Sequence, residues 1–172
     1  MKKMLIVVDV QNDFVSGTLG SDSAKAIVPT IEEIVKDADA RSYPIVFTAD
    51  THEERNYKDF IEGQRVPTHC IYGEWGWRII DELDEYTKHY PVVPKIAFGA
   101  FNLPIQKVDE ICIIGLCTDI CVISNALILR SMFPTMPITI YEDACAGTTP
   151  EAHQAALAIA ASCLVDVKKW NE

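Results

Sequence analysis

Cys121 stands where one apolar run has ended and another begins. Ile111-Cys112-Ile113-Ile114 reads as a strand, Ile120 to Phe133 as a helix, and Gly115-Leu116-Cys117-Thr118-Asp119 joins them. With Thr118 or Asp119 as cap, Cys121 falls in the first helical turn, where backbone N–H groups lack internal partners and the helix dipole is positive. Those conditions favour a thiolate and offer donors to an oxyanion, so nucleophile and hole would share one turn. Cys117 is the rival nucleophile, but it precedes the helix and fits better in the wall of the turn. A cysteine taken alone is more often a small buried hydrophobe, so its neighbours decide.

Asp9 follows Leu5-Ile6-Val7-Val8 and is poorly solvated there. Such a carboxylate has a raised pKa or a cationic partner, and either suits proton transfer with a thiol. Lys95, after Pro91-Val92-Val93-Pro94, is the candidate cation. Together Asp9, Lys95 and Cys121 would separate base, electrostatic organiser and nucleophile. A second cluster is Asp50-x-His52 with His69, two imidazoles and a carboxylate able to hold a divalent metal with positions left open. Its spacing also suits ordinary loop hydrogen bonding. Phe14, Trp75 and Trp77 are loop aromatics that could wall a pocket for a flat substrate or cover a sheet edge instead.

These residues need elements to hold them. Leu5–Val8, Pro44–Ala49, Pro91–Lys95, Ile111–Ile114, Ile138–Tyr141 and Leu164–Val167 read as strands. The segments Ile27–Ala38, Arg78–Tyr86, Ile120–Phe133 and Ala152–Ser162 read as helices, with Pro29 tolerable only in a first turn. The stretch Asp9–Gly20 reads as loop, and Thr51–Gln64 carries no clear period. Strands alternating with helices give an α/β domain with a mainly parallel sheet. The prolines of the third strand suggest an edge or a strand end. Asp9, Asp50, Lys95 and the Cys117–Cys121 segment each follow the carboxyl end of a strand, the edge where open α/β sheets bind ligands.

The 172 residues, 49% hydrophobic, suit one domain over 1–172. A formal net charge of -10 argues against nucleic acid or an anionic membrane as partner. Lys2 and Lys3 lead straight into a strand-like run, not a secretory signal, and no apolar segment is long enough for a bilayer. The six cysteines show no metal-knuckle spacing, so reduced thiols in a cytoplasm are expected.

Taken together, Asp9-Val10-Gln11-Asn12-Asp13-Phe14, Asp50-x-His52, His69-Cys70, Lys95 and Thr118-Asp119-Ile120-Cys121-Val122 resemble the isochorismatase-like cysteine hydrolases, in particular their nicotinamidase/pyrazinamidase branch. The resemblance runs from Leu5 to about His153. It implies a three-layer α/β fold of Rossmann-like topology, a six-stranded, mainly parallel sheet between helices. It implies Asp9 as general base, Lys95 as its partner, Cys121 as nucleophile and the amides of Cys117 and Cys121 as oxyanion hole, with a cis Leu116–Cys117 peptide. It also implies Asp50, His52 and His69 as ligands of zinc, manganese or iron, and a homo-oligomer. The reaction implied is hydrolysis of a small amide such as nicotinamide through a thioester.

Three departures bear on specificity. Val66 stands where nicotinamidases usually carry a tryptophan, so a flat ring loses a stacking wall unless Trp75 or Trp77 replaces it. No histidine lies between His52 and His69, and the segment Phe101–Glu110 is too short for the usual helix. The alternatives are a hydrolase of N-carbamoyl compounds or another amide on the same scaffold, and a non-enzymatic redox or ligand-binding protein using Cys117 and Cys121.

Overall fold

A computed structural model describes residues 1–171. Six strands, β1 (Lys3–Val8), β2 (Ile45–Asp50), β3 (Val92–Lys95), β4 (Glu110–Leu116), β5 (Ile138–Ala146) and β6 (Asp166–Lys168), form one sheet in the order β3-β2-β1-β4-β5-β6. Every neighbouring pair is parallel. The order reverses between β1 and β4, the doubly wound arrangement whose switch point opens a crevice at the carboxyl ends. Asp9 leaves β1 and Cys117 leaves β4, one on each side of that crevice.

The continuous apolar strands follow from burial on both faces. Successive side chains alternate: Leu5 and Val7 join the core beneath α2 (Asp22–Ala40), while Met4, Ile6 and Val8 join a second core beneath α5 (Ile123–Met132) and α6 (Pro150–Ser162). Ser21 caps α2 by accepting from Ala24 N–H, and Thr149 caps α6 by accepting from Ala152 N–H. Among the described residues no helix is long and apolar enough to cross a membrane.

Several local expectations are corrected. Pro29 lies inside α2, not in its first turn. Both Pro29 and Lys25, whose carbonyl loses its partner, face solvent, so water can take the missing bond. Within Asp9–Gly20 a short helix, α1 (Asn12–Val15), forms, and the unperiodic segment holds α3 (Ile61–Arg65). The helix expected from Arg78 is α4 (Asp81–Thr87), and the last strand begins at Asp166. Residues 101–109 carry no helix, in keeping with their length.

Gly115 shapes the crevice. Its φ is 122°, and a Cβ there would run into the backbone of Val8 on β1. The β4–β5 register shifts between Ile113 and Gly115, which lets β4 reach Leu116 level with Ala146. Gly115→Ala is therefore expected to cost about 2 kcal/mol or more. Thermal unfolding should show this as a Tm lower by at least about 4 °C; an unchanged Tm would mean that the crevice floor tolerates a side chain.

Candidate active site

Parallel strands bring their carboxyl ends to one edge, and register sets the levels. Asp50 and Lys95 are cross-strand partners, and Val8 pairs with both Thr48 and Gly115. Asp9, with φ 50°, turns back over this edge. Thr48 donates its hydroxyl to Asp9 Oδ1 at 2.6 Å. Lys95 Nζ lies 2.6 Å from Asp9 Oδ2, an ion contact outside hydrogen-bond angles, and 3.3 Å from Asp50 Oδ1. It also donates to Cys121 Sγ at 3.5 Å. Asp9, Lys95 and Cys121 thus meet, and all three are buried.

The electrostatics of this group correct one expectation. Burial pushes the Cys121 thiol well above its ordinary pKa, the Asp9 charge adds to that, and Lys95 opposes it. Asp9 is also raised, by burial first, against the pull of Lys95. Burial alone would lower Lys95, but Asp9, Cys121 and Asp50 outweigh it and hold the ammonium charged. The surroundings therefore raise the proton affinity of both Cys121 and Asp9, against the lowering of the thiol that the helix dipole alone would give. The turn differs too: Thr118–Val122 is a π-helical turn that runs into α5, with Cys117 O accepting from Ile120 N–H and Val122 N–H at 3.1 Å each. The Leu116–Cys117 peptide is cis. The Cys117 thiol lines the same cavity as Cys121, and burial, with Asp119 second, pushes it up to about 12.

Two contacts tie this turn to α6 and to the loop before it. Thr118 Oγ1 and His153 Nδ1 lie 2.8 Å apart, and Asp119 accepts from Thr148 N–H at 2.8 Å. Other residues stitch the opposite wall. Gln11 accepts from Asp50 N–H at 2.8 Å and donates to Asp50 O at 2.9 Å, while Asp13 accepts from Cys70 N–H at 2.7 Å. Gln11 and Asp13 thereby fix Asp50 and the neighbour of His69.

Asp50, His52 and His69 also converge, and Glu62 joins them; one ligand atom from each of the four lies within 4.8 Å of the others. His52 Nε2 and His69 Nε2 both face Asp50 Oδ2, at 3.0 and 3.2 Å. They face Glu62 at 3.9 and 3.6 Å. His69 Nδ1 lies 2.8 Å from Pro67 O and 3.1 Å from Tyr57 Oη, which leaves Nε2 for the cluster. Two imidazole nitrogens and two carboxylates directed at one another form a donor set suited to a divalent cation, and protonated rings would instead donate to Asp50. Gly63 lets α3 press against the carbonyl of Tyr57, where a Cβ would collide, and so brings Glu62 in. Glu62 was not legible beforehand: its segment has no period, and only proximity in space marks it.

Cys121 opens onto a cavity of about 370 Å³. Phe14, Val66, Phe98, Leu116 and Ile120 supply its apolar wall, and Glu62 borders both cavity and acidic cluster. No lysine or arginine lines it among the described residues. Of the three candidate aromatics, only Phe14 reaches it. Trp77 turns away, donating Nε1–H to Thr51 Oγ1 at 2.9 Å and packing edge-on to Tyr72. Trp75 is 55% exposed and lines a different depression beside α1 and α2. Phe98 and Val66 line the cavity, and neither Trp75 nor Trp77 does.

Comparison with known proteins gives a consistent result. The chain matches the isochorismatase domain over residues 3–172. The nicotinamidase of Saccharomyces cerevisiae is 28% identical, the alignment covering 73% of this chain and 80% of that protein. An uncharacterized isochorismatase family protein of Bacillus subtilis, PncA, is 28% identical over 91% of this chain and 93% of its own length. The crystal structure of nicotinamidase/pyrazinamidase PncA from Bacillus subtilis superposes with a TM-score of 0.87 at 30% identity, covering 98% of this chain and all of that one.

Proposed function

The chain belongs to the isochorismatase family, and on that footing we propose that it is a cysteine amidohydrolase converting a small neutral carboxamide, nicotinamide or a close analogue, to its acid and ammonia. The observation that carries this reading is Lys95 Nζ, 2.6 Å from Asp9 and 3.5 Å from Cys121, whose side chain opens onto an apolar cavity.

Asp9 takes the Cys121 proton as Sγ attacks the amide carbonyl. Because both groups have raised proton affinity and Lys95 stays charged, the proton moves between them without altering the net charge of the buried group. The carbonyl oxygen, now negative, sits against the N–H groups of Cys117 and Cys121. Asp9 passes its proton to the departing nitrogen, ammonia leaves, and a thioester remains. Asp9 then deprotonates a water that attacks the thioester, and the proton returns to Cys121 as the acid departs.

Asp50, His52, Glu62 and His69 would hold a divalent ion, zinc, manganese or iron. When bound, it supplies a Lewis-acid point beside the cavity for a lone pair on the substrate's ring. Purified protein is expected to carry about one such ion per chain, and Asp50→Asn to lose it, as read by elemental analysis. Activity should fall on chelation and return with the ion. Full activity in demetallated protein would show that the cluster is structural.

Among the described residues no cation lines the cavity wall, which favours a neutral acyl group over the carboxylate of an N-carbamoyl acid. Nicotinamide, pyrazinamide and benzamide, assayed for ammonia beside ureido acids, test this. Release from carboxamides is expected. No turnover of any of them at high enzyme, or faster ureido-acid hydrolysis, would sink the reading.

A further inference from the structure

A second cavity, of about 360 Å³, lies at the amino-terminal edge of the sheet, remote from Cys121. Its floor is a polar network among β1, β4 and β5. Lys3 and Glu110 are cross-strand partners, with Lys3 Nζ 3.2 Å from Glu110 Oε2. Thr139 donates to Glu110 Oε1 at 2.6 Å, so both carboxylate oxygens are engaged. Lys3 also donates to Tyr141 Oη at 3.0 Å, and Cys112 Sγ donates to the same oxygen at 3.4 Å.

Donors are left over. An ammonium carries three N–H groups, of which Lys3 uses two, and Tyr141, accepting twice, keeps its own O–H free. Arg41 at the rim spends only its Nε on Asp37, at 2.7 Å, among the described residues. Lys3, Arg41 and Lys168 line the cavity, each beside one carboxylate, Glu110, Asp37 and Asp166 in turn, so the donors they do not spend on those partners are what the cavity offers. Tyr43 and Trp170 supply aromatic wall above Leu5 and Ile34.

We infer that this cavity is a second ligand site, which takes a small organic carboxylate with a flat or apolar body. The carboxylate meets the unspent donors of Lys3 and Tyr141, and the body packs against Tyr43 and Trp170. A carboxylate is preferred to an amide because the vacant capacity is donor only, and charge-assisted hydrogen bonds are the stronger ones. The volume falls in the range of small-molecule sites. The inference is independent of the chemistry at Cys121.

Titrating the full-length, ¹⁵N-labelled protein with benzoate tests it, because the three tryptophans report separately. Trp170 lines this cavity and Trp75 and Trp77 do not. The Trp170 indole signal is expected to shift saturably with benzoate while the other two stay fixed, and benzyl alcohol, which keeps the ring without the carboxylate, should shift it far less. Lys3→Met and Tyr141→Phe should each weaken benzoate at least about tenfold; Tyr141→Phe keeps the ring, so a folded variant is available if Lys3→Met is not. A Trp170 signal unmoved by benzoate, or moved equally by benzyl alcohol, or moved equally in Tyr141→Phe, overturns the assignment.

Discussion

Replacing Cys121 with alanine is expected to cut ammonia release from a carboxamide roughly 10⁴-fold or more, with Tm within a few degrees of wild type. The side chain is small, and it borders the cavity and Lys95 as well as the core, so little packing is lost. The companion variant is Cys117→Ala. It removes the second thiol in the cavity but keeps its backbone N–H, the only part of Cys117 that the proposed reaction uses. Turnover in Cys117→Ala should stay within about tenfold of wild type. Residual activity in Cys121→Ala, or equal loss in both variants, would remove Cys121 from the role of nucleophile. A redox role shared by the two thiols predicts the latter pattern.

Replacing Lys95 with alanine should damage stability and activity together. Its Nζ is the cation beside both Asp9 and Asp50, and the three side chains are 3% exposed or less. Removing one partner of a buried ion pair leaves an uncompensated charge and costs about 3–5 kcal/mol. For a chain of this length that is a Tm drop of roughly 6–20 °C. The double variant Asp9→Asn with Lys95→Met separates the effects. It removes both charges and keeps most of the volume, so stability should recover in large part while turnover stays abolished. A Lys95→Ala protein as stable as wild type would mean that Asp9 is protonated in the resting enzyme, and the proton route would need a different base.

The parts of the site that strand ends dictate were legible in the sequence. Asp9, Asp50 and Lys95 each follow an apolar run, and a parallel sheet has no choice but to gather such residues on one edge. Cys121 was legible as a position but not as a state. The helix dipole predicts a thiolate, whereas burial and Asp9 outweigh it, and burial depends on what the rest of the chain places overhead. Loops gave the least. Trp75 and Trp77 looked like pocket walls because nothing in a loop's spacing says which side an aromatic faces. Glu62, Phe98 and Val66 border the cavity only because α3 and the segment after β3 fold over it. Pro29 was misjudged for a related reason: its cost depends on whether the freed carbonyl meets water, and that is a property of the folded surface.

The cation beside Asp9 and Cys121 sits on a short edge strand. β3 is four residues long, pairs only with β2 and contains Pro94, which donates no backbone bond. Edge segments of this kind open by local fluctuation at a free energy below that of the whole fold. Each such opening would carry Lys95 away from two buried carboxylates, so the ion contacts act as a latch on the strand as well as a partner to the base. Activity and folding are then separable in time. On the proposed mechanism, undocking of that one strand would silence the site and its return would restore it, with β1, β4 and the cores on both faces left in place.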